Sequence, residues 1–240
     1  TLENFFSDTM ESKWGAVVER IRKQETLPLA DYEIIFPFIS ALRVRVPAAR
    51  DAVEYMLAEE VMATTRLLDE MGKLPPKPAG FEDLLDHVEV SIDPHQSIHA
   101  MAAQMKGFEQ LLAVLGFQVL RNATNVPFIT SDNSVIHFDP DVPEDEMRPY
   151  TVHPGRTRIE LFFPIDSQHM LYGHTDLKTL YGQQGITYKT VNDSEIIARF
   201  NRLVSRFAYE IVFANSTDHE AVIKEYAHVS PMAEVSIVPQ

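Results

Sequence analysis

The residues best suited to chemistry cluster at Ser131-Asp132-Asn133, a hydroxyl, a carboxylate and an amide in succession between the apolar runs Val126–Thr130 and Val135–Phe138. Three such side chains held at a strand end by rigid neighbours can hydrogen-bond a ligand or hold an ion. They can equally form a structural turn, because Asp and Asn bond their own backbone. Arg45, two residues before Pro47, is the expected partner: a paired Arg45 and Asp132 would either recognise an anion or join two parts of the chain. The candidate ligand-binding set is therefore Arg45, Ser131, Asp132 and Asn133. Arg43, Arg45 and Arg50 form the basic cluster to test first for an anion site. Arg20, Arg22 and Lys23, and Arg156 with Arg158, read as solvated or ion-paired faces.

Other constellations are weaker. His95 and His99 stand one helical turn apart, the spacing that holds zinc in metalloproteases, but Gln96 replaces the glutamate that would act as general base. No metal and no cofactor is expected. Thr1 could be compared with an N-terminal nucleophile, yet it precedes an amphipathic helix instead of lying in a structured site. Gly182-Gln183-Gln184-Gly185 lacks the lysine of a phosphate loop, and no dinucleotide fingerprint or nucleophile elbow occurs.

Composition narrows the classes further. The 240 residues are 45% hydrophobic and 23% charged, as expected of a folded chain and not of a disordered one. A net charge of -14 repels phosphate backbones, so nucleic acid is an unexpected partner. The absence of cysteine removes disulfides, thiolate nucleophiles and Cys-ligated metals, in keeping with a cytoplasmic protein. No run of about 18 apolar residues suggests a membrane span.

The elements that position the polar turn follow from periodicity. Helical spacing runs from Leu2 to Lys23, from Asp31 to Leu42 with a kink or division expected at Pro37, from Pro47 to Gly72, briefly from Phe81 to Asp86, and from Pro94 to Leu115. Beyond Gly116 short strands are expected at Phe117–Arg121, Val126–Thr130, Val135–Phe138, Arg158–Phe163, His169–Tyr172 and Ile186–Val191, with a turn-rich loop at Asp139–Glu146. A helix from Ser194 to Tyr209, a strand at Glu210–Ala214 and a small helix from Asp218 to His228 close the chain. The expected fold is α+β: a helical N-terminal half packed on a mainly antiparallel sheet with one or two C-terminal helices. It forms one domain with a helical part over 1–116 and a sheet-containing part over 117–240.

Four stretches carry a resemblance. Phe128-Ile129-Thr130-Ser131-Asp132-Asn133-Ser134-Val135, Phe38 to Pro47, Leu161-Phe162-Phe163-Pro164-Ile165, and Val191-Asn192 leading to Asn201, Ala208 and Phe213 are similar in kind and order to the bacterial family called domain of unknown function 4238. Ser134 stands where that family usually has proline. Members tend to begin with a segment holding a His and a Pro-x-x-Tyr-Leu-like run, which has no counterpart before Thr1 and could complete a site. The resemblance carries no established activity.

Two functions are then expected to compete. The first is a ligand- or partner-binding protein with a polar site between the helical and sheet halves, its partner a small molecule or a protein. The second is a hydrolase or nuclease completed by the upstream segment. Self-association through Leu2, Phe5 and Phe6 would give a homo-oligomer.

Overall fold

The computed structural model describes residues 12–81, 83–147, 150 and 158–227, and the side chains of 94–99 and 102 lie outside that description. The expectations for Thr1, Leu2, Phe5, Phe6 and Arg156 fall outside it too.

Four helices come first: α1 (Ser12–Arg22), α2 (Leu29–Arg45), α3 (Pro47–Glu70) and α4 (Pro94–Val114). Asp31, expected to cap α2, lies in its first turn. It pairs with Arg20 through Nε at 2.7 Å, tying α1 to α2. Of the kink or division expected at Pro37, the division does not occur: α2 continues through it. An interior proline costs roughly 3 kcal/mol; here the buried Ile35, Ile39, Ala41 and Val44 on both sides of it offset that loss. Pro47 takes the first turn of α3, where its missing N–H has no helical partner to lose.

The strands are β1 (Gly116–Asn122), β2 (Thr130–Ser131), β3 (Ile136–Phe138), β4 (Glu160–Pro164), β5 (His169–His174), β6 (Thr187–Val191) and β7 (Val212–Phe213). Five of them form one sheet in the order β3-β4-β5-β1-β6, antiparallel except for the parallel β1/β6 pair. β2 and β7 pair separately, Thr130 opposite Phe213 and Ser131 opposite Val212. Of the expected strand at Val126–Thr130 only its last residue pairs.

β5 ends and β6 begins at the same end of the sheet, on either side of the start of β1, and a helix absent from the periodicity reading joins them: α5 (Lys178–Gln184). Gly116 is required at the start of β1, because a Cβ there would collide with the backbone carbonyl of Leu177. Helices α6 (Ser194–Phe207) and α7 (Glu220–Tyr226) follow.

Strand alternation divides the core into two layers. Phe117, Val119, Leu161, Phe163 and Leu171 face the first helices and pack with Ile21, Ile35 and Ile39. Leu120, Ile136, Phe138, Phe162 and Met170 face the other way, against Phe200, Leu203 and Phe207 of α6. The protein is thus α+β, with the sheet between two helical layers. From 54 to 107 none of the residues whose exposure is described is buried, so most of α3 and the start of α4 stand clear of this core.

Candidate functional site

Helix periodicity selects which arginine of α2 turns inward. Ile35, Ile39 and Arg43 follow at intervals of four on one stripe, and the two isoleucines are 1% and 0% exposed. Arg45 lies about 200° around the helix from Arg43 and is exposed. The guanidinium that reaches the interface of helices and sheet is therefore that of Arg43.

It meets Tyr150, lying 3.2 Å from the ring centroid. The Tyr150 hydroxyl donates to Oδ1 of Asn133, and Nδ2 of Asn133 donates to the Phe207 carbonyl at 2.7 Å. Tyr150 adopts φ +68°, and its N–H donates to the His137 carbonyl at 2.7 Å. A left-handed conformation costs a bulky residue roughly 1–3 kcal/mol, so these contacts must hold the ring in place. His137 points to the same side, because alternation along β3 sends Ile136 and Phe138 to the α6 layer. Its ring lies 5.3 Å from that of Tyr150 and 5.6 Å from that of Phe108.

These side chains line a cavity of about 310 Å³ between α2, α3, α4 and β3. Val53 and Met56 of α3 and Phe108 and Leu111 of α4 make its walls largely apolar, while Arg43, Gln104, His137 and Tyr150 are polar. The guanidinium has no hydrogen-bond partner among the described residues, and its Nε is wholly buried. Burial pulls the Arg43 pKa down, and nearby Tyr150 only partly opposes it. Burial, then the charge of Arg43, pulls His137 down to about 3. Burial pushes Tyr150 up to about 12, against the pull of Arg43. At neutral pH the described lining residues therefore carry one charge, on Arg43, beside a neutral imidazole and a neutral phenol.

The residues expected to form the site divide. Asn133, 0% exposed, belongs to it through Tyr150. Asp132 accepts from the backbone N–H groups of Tyr209 at 2.9 Å, Glu210 at 2.8 Å and Ile211 at 3.1 Å, closing the turn after α6. Ser131 accepts from the Asn133 N–H at 3.2 Å and pairs with Val212. Arg45 remains on the exposed side of α2. The polar turn is joined to the arginine-bearing helix, but by Arg43, Tyr150 and Asn133 in series. His137 carried a legible signal as the single polar side chain in the run Val135–Phe138. Tyr150 carried none.

A second cavity of about 330 Å³ opens on the opposite face of the sheet, beside Glu160, Tyr172 and Arg199. Its buried carboxylate is matched: Arg199 donates to both oxygens of Glu160 at 2.9 Å. Burial, then Glu160, pushes the Tyr172 pKa up. The unmatched cation of the first cavity sets it apart.

The family described as protein of unknown function (DUF4238) matches residues 1–218. The chain belongs to this family. Within this DUF4238 chain, the matched region takes in Arg43, Asn133, His137 and Tyr150, together with the four stretches that carried the resemblance. No curated protein and no solved structure matches the chain. Among the described residues no three His, Asp or Glu side chains gather as metal donors. His95 and His99 fall in the first turns of α4, with side chains outside the description. No helix of the described residues is long and apolar enough to cross a membrane.

Proposed function

We propose that this DUF4238 protein binds a small molecule in the cavity between α2, α3, α4 and β3, holding a hydrogen-bond acceptor of that molecule on Arg43. The observation that carries this reading is the guanidinium of Arg43, which borders a cavity and has no hydrogen-bond partner among the described residues. Withdrawing a cation from water without a partner costs several kcal/mol, and an arrangement of that kind is retained where a ligand makes use of it. The left-handed Tyr150 adds support, since strained residues gather at ligand sites. Apolar walls with a few convergent polar groups are what small-molecule sites generally offer.

The test is a fragment panel of acids, amides and alcohols read by the ¹³C-methyl resonance of Met56, which lines the cavity. Binding fragments should shift that methyl, and Gly107→Phe, which places a ring beside the cavity, should suppress the shift. A panel in which no fragment moves Met56 in the wild-type protein overturns the reading.

A further inference from the structure

We infer that the cavity selects a single carboxylate carried on an apolar body, a conclusion that rests on the ligand-site reading above and names the chemical class it takes. The first argument is geometric. Tyr150 covers one face of the Arg43 guanidinium at 3.2 Å, and Nε is buried away from any ligand. What remains is the edge carrying Nη1 and Nη2. Two parallel N–H groups in one plane match the two oxygens of a carboxylate, the pairing in which arginine exceeds a point charge such as lysine.

The second argument is the charge balance. Arg43 is the one cation among the described residues that line the cavity, because burial keeps His137 neutral. A monoanion cancels it, whereas a phosphate dianion would leave a charge unmatched among Val53, Met56, Phe108 and Leu111. Neutral His137, whose side chain has no hydrogen-bond partner among the described residues, can donate from one ring nitrogen to the same carboxylate.

The third argument is the wall. Those four apolar side chains, with Ala49 and Ala52, wall most of a cavity of about 310 Å³ that Gln104 also lines, the low end of small-molecule sites, so the body that follows the carboxylate is compact and mainly apolar.

The experiment compares 4-phenylbutyrate, 4-phenylbutan-1-ol and benzyl phosphate on the full chain, by calorimetric titration and by the Met56 methyl resonance. The acid should bind and shift Met56. The alcohol and the phosphate ester should each bind at least about tenfold more weakly, as loss of a charge-assisted pair or an unmatched charge dictates. Arg43→Met should abolish the preference for acid over alcohol. Arg43→Lys, which keeps the charge and loses the planar fork, should lower acid affinity about tenfold and covers the case in which Arg43→Met fails to fold.

If the alcohol or the phosphate ester binds as well as the acid, the carboxylate inference is overturned while the ligand site stands. If none of the three shifts Met56 at millimolar concentration, the inference is overturned as well. The fragment panel then decides separately whether the ligand-site reading falls with it.

Discussion

The Arg43 guanidinium lies against the face of Tyr150, 3.2 Å from the ring centroid, with no carboxylate paired to it among the described residues. That contact joins α2 to the polar turn at Asn133 and sets a function against stability. A cation–π contact contributes about 2 kcal/mol when desolvated, less than the several kcal/mol that burying an unpaired charge costs. Arg43→Met should therefore stabilise the ligand-free protein by roughly 1–2 kcal/mol in urea unfolding. A destabilised variant would show that the cation is compensated after all.

Tyr150 and Asn133 should be energetically coupled. Their hydrogen bond is part-buried, and truncating Asn133 also leaves the Phe207 carbonyl without its donor. A double-mutant cycle with Tyr150→Phe and Asn133→Ala is expected to return a coupling of about 1–2 kcal/mol. Strict additivity of the two single changes would remove this link between the turn and the helices.

His137 makes the protein sensitive to acid. Its folded pKa of about 3 lies below the ordinary value of 6.5. Between those values the unfolded chain binds a proton that the folded chain refuses, so stability falls as pH drops from 6.5 toward 3. The loss is on the order of 4 kcal/mol for this one buried group. His137→Phe should flatten that limb of the stability profile, measured by denaturant midpoints across the range. An unchanged slope would mean that His137 takes up its proton readily in the folded state.

Asp132 is expected to act through the backbone. Its carboxylate accepts from three consecutive N–H groups, those of Tyr209, Glu210 and Ile211. Asp132→Ala should lower stability by about 2–3 kcal/mol and speed hydrogen exchange at those amides. Exchange left unchanged there would disprove the capping role.

Gly107 offers a gain. It is an exposed residue inside α4, and a Cβ there meets nothing within 4 Å. Gly107→Ala should raise the unfolding free energy by roughly 0.8–1 kcal/mol through the lower entropy of the unfolded chain. A loss of stability would indicate that the wall of the cavity needs the space.

Periodicity alone placed the four long N-terminal helices, the strands around Val119, Phe162 and Leu171, and α6, because each carries a regular stripe or alternation of apolar side chains. It also singled out the polar turn, since Ser131-Asp132-Asn133 interrupts apolar runs. The stripe of Ile35 and Ile39 continues to Arg43, but Arg45 was the expected partner, and only the burial of those two isoleucines decides between the arginines. What pattern could not supply was partnership. The connecting helix α5 is short and has no buried residue, so it left no stripe. The continuity of α2 through Pro37 depends on packing from elements far along the chain. Tyr150 reaches Arg43 only because a left-handed backbone step turns its ring back across His137, and no spacing rule announces such a step. Local sequence settled which segments curl or extend, since that choice is made within a turn or two. The tertiary structure settled which cation is left without an anion, because charge pairing depends on distances between residues more than a hundred positions apart.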